Sequence, residues 1–70
     1  MYGLFRFTYD YHQFQRLVCV SASVEALERH YEQMKEKSPA IFLLVPEEKH
    51  DEFWDNEDAH YCILPVEEVK

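Results

Sequence analysis

The residues best suited to chemistry lie in Glu47 to Asp58, EEKHDEFWDNED. There seven carboxylates (Glu47, Glu48, Asp51, Glu52, Asp55, Glu57 and Asp58) meet one base, Lys49, for a local charge of −6. Half of the chain's 14 acids fall in this stretch, with Phe53 and Trp54 at its middle. An aromatic pair ringed by carboxylates is the composition expected where a protein engages a basic, partly apolar partner, the rings as anchors and the charges steering encounter. Carboxylates spaced along a helix and turn can also imitate phosphates and so exclude nucleic acid from a basic groove. The competing account is architectural: Phe53 and Trp54 pin an acidic, solvated loop to the core. The candidate partner-binding residues are therefore the seven acids with Phe53 and Trp54.

A second constellation is His50, His60 and Cys62. With one carboxylate these could gather a transition metal, or they could frame a small-ligand site at a dimer cleft. No close cysteine pair and no His-Glu-x-x-His motif accompanies them. The acidic run also lacks the central glycine and ligand spacing of an EF-hand loop. His60 and Cys62, two apart on a strand, would share a face, a geometry in which imidazole and thiolate can meet. With a single glycine, however, the chain has no phosphate loop and little material for an oxyanion hole. Binding rather than catalysis is the expectation, with no cofactor.

The charge balance points the same way. Fourteen acids against seven bases give a net charge of −7. That opposes direct binding to nucleic acid, which relies on Lys and Arg, and suits a basic protein partner. Acidity also keeps a small, aromatic-rich chain soluble. Seventy residues make one domain, 1–70, whose core supplies only roughly 3–5 kcal/mol of net stability at this size. Cys19 and Cys62 offer no disulfide framework, so self-association as a homodimer is the expected aid. Neither a signal-type leader nor an apolar run of membrane-spanning length is present, so a cytoplasmic, membrane-free protein is expected.

The elements that must position these groups follow from periodicity. Tyr2 to Tyr9 alternates Phe5, Phe7 and Tyr9 with Leu4, Arg6 and Thr8, a half-buried strand. If Phe5 and Phe7 point inward, then Tyr2, Leu4, Arg6 and Arg16 lie on an open face opposite the main helix. Asp10 to Gln13 is polar enough to turn. Phe14 to Val20 returns as hairpin partner, apolar on both faces and so expected at the centre of the sheet. Ser21 or Ser23 caps a helix whose stripe is Val24, Leu27, Tyr31 and Met34, and Ser38-Pro39 ends it. Ile41 to Val45 reads as a buried strand or a short buried helix. Pro46 followed by two acids reads as a helix start that puts His50, Phe53 and Trp54 on one face. Asp55 to Asp58 turns the chain, and Tyr61 to Val66 is a last strand whose end Pro65 places at an edge. The sum is an α+β domain of ββαβ(α)β order, a small mostly antiparallel sheet with one main helix on one face.

The succession of an aromatic strand, the turn TYDYHQF, the junction RLVCVSAS and the strand HYCILPVEEV resembles short ββαβ proteins of bacteriophage genomes, mostly without assigned function. The resemblance implies a host-directed or counter-defence role and supplies no site residues. Together with the acidic segment it suggests an inhibitor of a basic, nucleic-acid-binding host protein.

Overall fold

Both halves of the alternation in the first strand find cover, and this decides the architecture. The computed structural model describes residues 1–9 and 13–67. Strand β1 (Tyr2–Tyr9) pairs antiparallel with β2 (Gln13–Ser21) on one side and with β4 (His60–Pro65) on the other. The short β3 (Leu44–Val45) runs parallel to β4, giving a four-stranded sheet of order β2-β1-β4-β3. The α+β class is as expected. The Asp10 to Gln13 turn falls, for residues 10–12, outside the described residues.

Helix α1 (Val24–Lys37) forms where its caps specify. Ser23 is extended, and its Oγ accepts the Ala26 N–H at 3.3 Å, satisfying a donor that the first turn leaves unpaired. At the other end the Ser38 N–H donates to the Met34 carbonyl at 2.9 Å before Pro39 stops the helix. The stripe then packs on the Leu4 face of the sheet, where Leu4, Leu27, Tyr31 and Tyr61 form a buried cluster flanked by Val18, Met34, Ile41, Phe42 and Ile63. Tyr31 and Tyr61 meet edge to face at 5.7 Å, and the Tyr31 hydroxyl donates to the Phe42 carbonyl at 2.9 Å. A buried phenol thus has its partner.

The opposite face is covered by the link between β3 and β4. Parallel neighbours need a crossover of roughly a dozen residues. Here it contains a 3-10 turn (Glu47–Lys49) and helix α2 (His50–Asp55), which lies over Phe7. Among the described residues no helix is long and apolar enough to cross a membrane.

Three expectations are corrected. The Leu4 and Arg6 face is not open: α1 lies on it, and the Phe7 face carries α2. Strand β2 is an edge, not the centre, with Phe14, Leu17 and Val20 at 58%, 48% and 47% exposure. The physical reason is that β4 takes the second side of β1, and among the described residues no strand pairs with the outer side of β2. Leu4 pairs with Cys19 and Phe5 with Leu17, so Val18 is an extra residue and the simple alternation along β2 breaks. Only Leu44 and Val45 of the 41–45 run form a strand; Ile41 is held by a turn to the Ser38 carbonyl at 3.1 Å. The Pro65 end of β4 does lie at an edge, as expected: β3 reaches only Tyr61 and Cys62, and on the β1 side the Val66 N–H bonds the Met1 carbonyl at 2.9 Å just past the proline.

Leu27 is 2% exposed beneath α1, whereas Leu43 is 61% exposed. Leu27→Ala should therefore cost about 3 kcal/mol, and Leu43→Ala about 0.5 kcal/mol or less. Urea denaturation followed by tyrosine and tryptophan fluorescence checks both.

Candidate functional site

The acidic segment is held to the sheet by its rings. Phe53 and Trp54 are half-buried and turn inward, Trp54 lying 5.1 Å from Phe7 edge to face and Phe53 lying 5.8 Å from the His60 ring. All seven carboxylates, Glu47, Glu48, Asp51, Glu52, Asp55, Glu57 and Asp58, are exposed. Anchors and charges of the candidate site thus divide: the rings face the protein and the acids face solvent.

The end of α2 is closed by a hydrogen-bonded turn. The Asp58 N–H donates to the Phe53 carbonyl at 3.0 Å and the Glu57 N–H to the Trp54 carbonyl at 3.1 Å, the two bonds of a Schellman motif. Glu57 takes the left-handed position that such a closure requires, φ 60°, although it has a side chain. Asn56 adds a bond from its side-chain amide to the Glu52 carbonyl at 2.8 Å. The consequence is a fixed direction for the next carbonyl, that of Asp58.

That carbonyl holds His60. The His60 side chain has no exposure, stacks on Phe7 at 4.9 Å and 15°, and places Nδ1 2.7 Å from the Asp58 oxygen. Its Nε2 lies 2.8 Å from Nδ1 of His50. The hydrogens follow from donor and acceptor logic. A carbonyl only accepts, so His60 Nδ1 carries a hydrogen; in the neutral pair His60 Nε2 accepts, His50 donates from Nδ1, and His50 Nε2 is left as an acceptor. One added proton can enter at His50 Nε2 with both bonds intact. A second would put hydrogens on both nitrogens of the shared bond and break it. Burial first, then the neighbouring His60, lowers the His50 pKa from its ordinary 6.5, while Asp51 opposes them.

Of the second constellation, His50 and His60 meet and Cys62 stands apart. Cys62 is fully buried beside Val45, its register partner on β3. Burial, reinforced by the Glu47 carboxylate, pushes its thiol up to about 11. Both His60 nitrogens are already engaged, so His60 is not placed to take a proton from Cys62. Among the described residues no three His, Cys, Asp or Glu side chains converge as a metal-ligand group.

Sequence reasoning did place His50, Phe53 and Trp54 on one face, and they do share it. It missed Phe7 as their common platform and the Asp58 carbonyl as a partner. The first depends on which strand neighbours β4 and the second on a main-chain direction. Neither leaves a periodic trace.

The histidine pair sets a pH dependence. Because folding lowers the His50 pKa, the unfolded chain binds more protons just below pH 6.5, so the stabilisation is present above that value and is lost as pH falls through the folded value. The melting temperature should fall between pH 7.5 and about 5.5, and His50→Gln, which keeps a donor for His60, should remove much of the fall. Differential scanning fluorimetry across that range makes the comparison.

Compared with protein-family models, curated proteins and solved structures, the chain matches none of them.

Proposed function

We propose that this protein is a small acidic interaction module whose 47–58 face engages a basic, nucleic-acid-binding host protein by standing in for phosphates, as a phage-type inhibitor would. The observation that carries the proposal is the display: seven exposed carboxylates on a segment anchored from beneath by Phe53, Trp54 and a closed helix end. A charged surface that is already ordered loses less conformational freedom on binding than a flexible acidic tail. Its charges accelerate encounter with a basic groove and compete there with nucleic acid. The inward-facing rings change one part of the mechanism. They hold the charges in place, and the contact surface itself is carboxylate.

Self-association belongs to the same proposal. The free edge of β2 presents Phe14, Leu17 and Val20 to solvent, and a second β2 laid beside it would cover apolar side chains and unpaired backbone groups together. The module then acts as a homodimer in the cytoplasm and displays two acidic faces. No catalytic step enters this mechanism.

The test is competition with DNA. Immobilised protein should retain DNA-binding proteins from a bacterial lysate, identified by mass spectrometry, and added duplex DNA should release them. The triple charge reversal Asp51→Lys, Glu52→Lys and Asp55→Lys should reduce retention at least about tenfold, and raising salt from about 0.05 to 0.5 M should do the same. Retention that survives both the reversal and the salt would remove the phosphate-mimicry account.

A further inference from the structure

Two of the chain's three arginines stand directly across from each other in a protein of net charge −7. Arg6 on β1 is in register with Arg16 on β2, and like charges opposite one another on an antiparallel pair repel. On its other side Arg6 is in register with Tyr61. Its guanidinium carbon sits 5.6 Å above the centre of the Phe42 ring. That contact uses the face of the cation and satisfies no N–H. Arg6 Nε is buried and, among the described residues, has no hydrogen-bond partner.

Two adjoining clefts meet at Arg6 and Tyr61. One, of about 220 Å³, is lined by Arg6, Arg16, Leu17, Val18 and Tyr61. The other, of about 300 Å³, runs beside the C-terminal end of α1 and takes its apolar wall from Met34, Ile41 and Phe42. The first cleft has both arginines in its lining and room for a compact group. The second has apolar and aromatic walls on a scale suited to a ring or short alkyl body. We infer that this is a binding site for a small amphipathic oxyanion, its carboxylate or phosphate between Arg6 and Arg16 and its apolar body over Phe42 and Met34.

The chemistry is specific to arginine. A planar guanidinium gives an oxyanion two parallel donors, which matches carboxylate and phosphate oxygens. An anion between the two side chains also turns their mutual repulsion into two attractions. This site lies on the α1 face and is independent of the acidic 47–58 segment on the other face. Its success or failure does not bear on the proposed partner.

The experiment follows the Arg6 Nε–H cross-peak in ¹H–¹⁵N spectra of the intact protein titrated with benzoate, phenyl phosphate and inorganic phosphate. A saturable shift with benzoate or phenyl phosphate supports the site, and which of the two binds more tightly identifies the headgroup. Inorganic phosphate, lacking the ring, should bind at least about tenfold more weakly than phenyl phosphate. Arg16→Gln, on the exposed edge strand, should weaken the organic probes at least about tenfold while Arg29→Gln on α1 leaves them unchanged. No saturable shift with any probe up to about 10 mM, or equal binding by Arg16→Gln and the wild type, would overturn the assignment. Neither readout requires a variant of the half-buried Arg6.

Discussion

The buried imidazole of His60 is the constraint on which the rest of this small structure depends. A polar ring with no exposure is tolerated only if both of its nitrogens are bonded. One bond comes from a carbonyl aimed by the closed end of α2, and the other from a side chain at that helix's start. The two partners therefore hold the crossover at both ends, while Phe7 stacks beneath the ring from the adjacent strand. Removing any one of these leaves a buried nitrogen unpaired or a gap beneath the helix. The helix is only six residues long and too short to persist alone in water. Its position is an outcome of contacts with the sheet.

Charge is distributed with equal economy. The crossover that closes the parallel pair also carries half of the chain's carboxylates outward, and the sheet's other face carries Arg6 and Arg16 at the margin of α1. The two paired arginines thus lie on the side of the sheet away from the 47–58 carboxylates. Because β1 contributes Phe7 to one side and Arg6 to the other, adjacent residues of a single strand support both surfaces. The strand's period of two keeps the surfaces separate.

What was legible in the sequence was local. Ser23 as cap, Ser38 as stop, the Leu27 and Tyr31 stripe and the inward set His50, Phe53 and Trp54 all follow from spacings within a few turns, and the structure has each of them. Strand order was not legible, because apolar residues on both sides of Phe14 to Val20 indicate burial only if the strand is flat. The extra residue Val18 breaks the alternation, and with no strand beyond β2 among the described residues Leu17 and Val20 stay exposed. Pro65 does mark an edge, because β3 pairs only with Tyr61 and Cys62 and stops short of that end of β4. His50, His60 and Cys62 read together as a metal-site alternative; the meeting of the two histidines depends on a crossover and a main-chain direction that no spacing records.

The pairing of β1 with β4 has a consequence for how the chain reaches this state. The hairpin of β1 and β2 and the helix that follows are close in sequence and can form early, but β1 then has one edge unfilled until residues 60–65 arrive. Closing so long a loop is slow relative to hairpin or helix formation. Until then the chain holds a half-sheet with Phe7 uncovered and a free edge of β1 open to other chains. The ribosome's delay in delivering β4 is the interval in which this protein is most exposed to misassembly, and crowding by its own copies is the hazard it faces then.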